Sequence, residues 1–178
     1  LSTMKKERLQ KEYFCGREWL SKKVVSWVND KKENPILLID GAPGIGKSSY
    51  MAHEFLFNDK VGAIIFCEWD HQNFNNLDSI SRSLVFQLAT KLTDYREVVI
   101  RYLQQEQKNT GNPVYRPRNA KSIFQVLFIE QMLKLIDGNR PVTLILIDGI
   151  DEVIGEQEST PQKNVFAELP EREIKNFP

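Results

Sequence analysis

The chain has 178 residues, of which 41% are hydrophobic and 27% charged, the make-up of one globular domain able to bury roughly 70% of its unfolded surface. Its 24 basic and 24 acidic side chains cancel, which removes any net-charge reason to expect nucleic acid or an acidic membrane as partner. No apolar stretch nears the roughly 20 residues that span a bilayer, and Cys15, Cys67, His53 and His71 stand at no disulfide-framework or zinc spacing.

In chain order, LSTMKKERLQKEYF lacks the apolar core of a secretory signal and reads as a charged helical lead-in, in a reducing, cytoplasmic setting. Residues 17–29 place Trp19, Leu20, Val24, Trp27 and Val28 at helical spacing, which predicts a helix with one apolar face. Asn34 and Pro35 end it, and Ile36 to Ile39 follow as a short continuous apolar run, the mark of a strand covered on both faces. Val61 to Cys67 and Val142 to Ile147 are two more such runs, and Cys67 reads as a small buried hydrophobe. Between them lie helical stripes. One is Met51, Ala52, Phe55 and Leu56; another is Leu77, Ile80, Leu84, Leu88 and Leu92. Asp94 with Glu97 predicts the cap of a helix whose Val98, Val99, Tyr102 and Leu103 face inward, and Ser122 with Gln125 a capping box opening a helix to about Ile136. Residues 109–119 and 155–163 read as loops. Strands alternating with helices predict an α/β fold with a parallel sheet, a helical lead-in over residues 1–30 and a core over 31–178.

The chemistry concentrates in GAPGIGKS at residues 41–48, which matches GxxxxGK[ST] between an apolar run and a helical stripe. Glycines allow the backbone to curl so that N–H groups from Gly41, Ala42, Pro43 (which lends only its fixed φ), Gly44, Ile45 and Gly46 onward surround a phosphate. The helix that follows adds its positive end. Lys47 then reaches the β- and γ-phosphates of a nucleoside triphosphate, the Ser48 hydroxyl takes Mg2+, and Ser49 is a candidate for the α-phosphate. The second constellation is LILIDGIDE at 144–152. Asp148 ends an apolar run at the edge of the sheet where ligands of open α/β folds gather, placed to hold magnesium directly or through water. Gly149 follows, so the group that orients or deprotonates an attacking water is Asp151 or Glu152.

GAPGIGKS followed by LILIDGIDE resembles the Walker A and Walker B motifs of the signal-transducing ATPases with numerous domains, the STAND class, particularly their NACHT-like branch. Phe14 to Leu20 (FCGREWL) is similar to the F-x-G-R-E-x-L element ahead of that nucleotide domain, and residues 65–95 are similar to the segment between its two motifs. The resemblance covers residues 14–154. It implies a P-loop NTPase core of the ASCE, RecA-like kind, with Arg17 near the adenine. It also implies a fourth strand, between the Walker strands, that would begin near Ile174 to Pro178. The chain therefore reads as a piece of a larger protein, its core incomplete and prone to aggregate alone. The activity implied is a regulatory switch that hydrolyses ATP slowly, self-associates in its ATP state and drives effector or repeat domains in the same chain. Two other readings stand beside it. One is a small-molecule phosphotransferase with Arg116 and Arg118 on a lid; the other is a module that binds nucleotide without turnover.

Overall fold

A computed structural model describes residues 15–30, 36–68, 76–111, 123–133 and 143–152. Helix α1 (Glu18–Asn29) is followed by α2 (Lys47–Phe55), strand β1 (Val61–Phe66), α3 (Leu77–Lys91), α4 (Thr93–Thr110), a π-helical segment (Ile123–Ile129) running into α5 (Glu130–Leu133), strand β2 (Leu144–Asp148) and a 3-10 turn (Ile150–Glu152). The strands pair in parallel, Val61 opposite Leu144 and Phe66 opposite Asp148, with one residue more on β1 between Val61 and Ala63.

That extra residue decides which side chains face which layer. Beyond it, Ala63, Ile65 and Cys67 turn to one face with Ile145 and Ile147, where α3, α4 and the π-helical segment pack. Val61 joins Ile64, Leu144 and Leu146 on the other face, against Leu20 and Val24 of α1 and Tyr50 and Phe55 of α2. Both faces are thus covered, as continuous apolar strands require. The helices match their stripes where one face carries the apolar residues. Leu77, Ile80, Leu84 and Leu88 are all buried, with Leu92 partly buried beside them.

Polar side chains of α3 close the outer edge of β1. Gln87 accepts from the Ile64 N–H (3.0 Å) and donates to the Ile64 carbonyl (3.1 Å), and the Lys91 ammonium donates to the Val61 carbonyl (2.6 Å). A strand edge left bare would template further pairing; here side chains take up three of its backbone groups, and among the described residues β1 pairs only with β2.

Several sequence expectations fail. Ile36 to Ile39 form no strand: the described sheet is β1 and β2 alone, and all four residues are exposed, Leu38 to 79%. An apolar run becomes a buried strand only where a neighbouring backbone supplies its ladder, and this run lies outside the one described. Trp19 is 56% exposed, with the Lys23 ammonium 5.5 Å from its ring centre. α1 packs through Leu20 and Val24, and adjacent helix positions point about 100° apart. Asp94 does not cap α4. Thr93 already opens the helix, and Leu92 holds the cap position with no side-chain cap bond of its own. Finally, α4 continues through Asn109 and Thr110, expected as loop, and stops at Gly111 in the left-handed conformation (φ 64°). Residues 1–14, 112–122 and 153–178 lie outside the described residues, and with them the Ser122 cap, Arg116, Arg118 and the fourth-strand expectation.

The segment 123–129, expected to be α-helical, is wound as a π-helix. Side chains reach its carbonyls: the Tyr95 hydroxyl donates to that of Leu127 (2.6 Å) and the Gln131 amide to that of Val126 (2.8 Å). Tyr95 is fully buried, and burial pushes its phenol well above the usual range. A folded-state pKa above the unfolded value of about 10 means that its stabilisation is intact below pH 10 and fades as the pH rises further. Tyr95→Phe should therefore cost about 1 kcal/mol at neutral pH. That deficit should shrink and then reverse above about pH 10, measured as urea midpoints of both proteins across the alkaline range.

Candidate functional site

The loop Gly41 to Gly46 is a turn that runs straight into α2. Gly44 (φ 75°) and Gly46 (φ 92°) both adopt the left-handed conformation, and Gly46 is the N-cap of the helix. Residues with a Cβ resist that conformation, which is why these two positions need glycine. The Ile45 N–H donates to the Ala42 carbonyl (3.3 Å), and the Tyr50 N–H to the Gly46 carbonyl (2.9 Å), so the turn closes on itself before the helix ladder begins. Ala42, Pro43, Gly44 and Ile45 are exposed, while Gly41, Gly46, Lys47, Ser48 and Ser49 are half-buried.

Two cations are folded onto the loop. The Lys47 ammonium donates to the Gly41 carbonyl (2.5 Å) and reaches that of Ala42 (3.4 Å). The Arg17 guanidinium donates to the Ile45 carbonyl. Arg17, expected near a base, is therefore engaged with the loop backbone. Asp40 was not foreseen as part of this turn: its carboxylate accepts from the Gly41 N–H (2.7 Å). The signal was the Asp-Gly pair, a common turn dipeptide.

Asp148 ends β2, half-buried, and its carbonyl accepts from the Cys67 N–H (2.9 Å) just past the end of β1. Gly149 turns the chain (φ 65°), and Asp151 is exposed in the 3-10 turn. Of Glu152 only the backbone is described. Phe55, the last residue of α2, clusters with Val61 and Leu144, the first residues of the two strands.

Between α1 and α2 lies a cleft of about 160 Å³, lined by Val24, Val28, Tyr50, Phe55, Asn58 and Lys60 among others and by none of the expected site residues. Among the described residues no group of His, Cys, Asp and Glu could hold a metal ion by itself. No described helix is long and apolar enough to cross a membrane, and Cys15 and Cys67 are not joined in a disulfide.

The described residues thus form a parallel strand pair with helices on both faces, one of them headed by a left-handed glycine turn. The family model described as nephrocystin 3, N-terminal, matches residues 16–176, and the chain belongs to that family. No curated protein and no solved structure matches the chain.

Proposed function

We propose that the loop Gly41 to Ser48 binds the phosphates of ATP or ADP with magnesium, and that the domain is the slow regulatory ATPase of a larger signalling protein in the NACHT-like manner. The observation that carries this reading is the Lys47 ammonium lying across the loop's own carbonyls, at the head of α2 and beside two left-handed glycines. A helix N-terminus, a glycine turn and a lysine folded over it are the parts of a phosphate cradle. A polyphosphate offers the ammonium charged acceptors in place of two neutral carbonyls, so an ion pair replaces a charge–dipole contact.

The oxygen donors fit the metal. Magnesium prefers hard oxygen ligands, few of them from protein, and Ser48 in the first turn of α2 with Asp148 at the end of β2 would supply a hydroxyl and a carboxylate. The ion would neutralise charge on the β- and γ-phosphate oxygens. Ser49 would approach the α-phosphate, and Asp151 or Glu152 would orient the water that attacks the γ-phosphorus. In this reading the γ-phosphate holds neighbouring segments in one arrangement and releases them after hydrolysis. ATP-dependent self-association and attached effector or repeat domains then make the output, in a cytoplasmic setting that suits two cysteines outside any disulfide.

Calorimetric titration of the protein with ATP and ADP, with and without Mg2+, tests the proposal. Wild type should bind both, ATP more tightly when magnesium is present, and Ser48→Ala should lose most of that magnesium-dependent gain. Absence of binding by folded wild type, or a Ser48→Ala protein with the same magnesium response, would sink it.

A further inference from the structure

Arg17 is held at both ends. Its carbonyl accepts from the N–H groups of Leu20 (2.9 Å) and Ser21 (3.1 Å), which starts α1. Its guanidinium crosses to the carbonyl of Ile45, 28 residues further along the chain. The same nitrogen stands 3.8 Å from where a Cβ on Gly46 would be, so it lies against the Ile45–Gly46 peptide itself. α1 is seated on α2 through Leu20 and Val24 against Tyr50 and Phe55. One peptide group of the loop is thereby tied to a packed helix by a single side chain.

Peptide planarity gives this contact a direction. In a trans peptide the C=O and N–H point opposite ways, so a cation that holds the Ile45 oxygen also sets the Gly46 N–H on the far side. The glycines at 44 and 46 flank Ile45, and glycine leaves the backbone freer to turn than any other residue. Were this peptide to flip, an acceptor would stand where a donor had been, in a loop that can hold an anion only through its donors.

We infer that Arg17 is a positioning residue for the phosphate-binding loop: it fixes the Ile45–Gly46 peptide with its N–H toward the ligand and so serves the polyphosphate of a nucleotide whatever the base. This rests on the nucleotide reading of the loop. It differs from a base contact in what it makes the arginine indifferent to.

The experiment titrates the full chain, as wild type, Arg17→Ala and Arg17→Lys, with magnesium complexes of ATP, GTP and inorganic tripolyphosphate. In parallel, the amide resonance of Gly46 is followed in glycine-labelled protein without ligand. Arg17→Ala should weaken all three ligands by a similar factor, about tenfold for one charge-assisted bond, and should shift the Gly46 resonance. Arg17→Lys, still able to donate to the Ile45 oxygen, should restore most of both. A loss confined to ATP would overturn the inference in favour of a base contact, and an unmoved Gly46 resonance in Arg17→Ala would overturn it outright. If folded wild type binds none of the three, the nucleotide reading itself falls, and the Gly46 resonance alone then upholds or overturns the positioning role.

Discussion

Lys47→Ala is expected to weaken magnesium–ATP binding by about two orders of magnitude, because it removes charge-assisted bonds to phosphate worth roughly 1.5–3 kcal/mol each. The fold should barely notice. The bonds lost in the free protein run to carbonyls of Gly41 and Ala42, and Ala42 is exposed. Water can replace the ammonium there, so the melting temperature should move by no more than about 2 °C. Lys47→Arg separates charge from shape. Its planar fork is not interchangeable with a point charge on a flexible stem, so it should recover only part of the affinity. Calorimetry with a thermal scan on the same samples checks both halves. A Lys47→Ala protein that melts like wild type and binds ATP equally well would remove the lysine from the site.

The parts legible in the sequence are those governed by local rules. Gly44 and Gly46 were readable because a tight turn into a helix needs left-handed backbone, and only glycine adopts it freely. Leu77 to Leu92 were readable because the stripe's whole stabilisation comes from one face, and that face is buried. Ile36 to Ile39 show the limit. Their pattern is that of Val61 to Cys67, yet one run is sheet and the other is exposed, since coverage depends on what lies alongside and the residues of the run do not record it. Tyr95 was missed for a related reason. A tyrosine beside Asp94 and Arg96 reads as solvent-facing, and its partner is a carbonyl 32 residues away. Gln87 and Lys91 likewise read as the wet side of α3, while their acceptors on β1 are supplied only by tertiary packing. In the candidate site the loop and Asp148 were readable from motif and strand end. The bond from Arg17 to Ile45 was not, because 28 residues separate its partners and nothing local demands it.

Gly62→Val should be the most damaging single change to the described core. Gly62 lies where β1 carries its extra residue. A Cβ there would stand 2.5 Å from the Thr143 methyl and 2.9 Å from Leu88 Cδ2. Neither neighbour can yield cheaply. Leu88 is fully buried in α3, and Thr143 leads directly into β2. Gly62→Ala alone should cost about 1–3 kcal/mol as overpacking, and two further methyls at the same point should bring valine to about 3 kcal/mol or more, a large share of the roughly 5–15 that hold a domain. The alanine variant should melt about 3–10 °C below wild type at this chain length, and adding Leu88→Ala should cost less on that background than on wild type, because the two changes share one volume. The effect should also reach the site. The bulge sets the register that puts Phe66 opposite Asp148 and lets the Cys67 N–H hold the Asp148 carbonyl. A folded Gly62→Ala protein should therefore lose part of its magnesium-dependent ATP affinity while keeping the part that belongs to Lys47. Wild-type stability in Gly62→Ala would show that Thr143 and Leu88 move aside, and would break the link between the glycine, the register and the carboxylate.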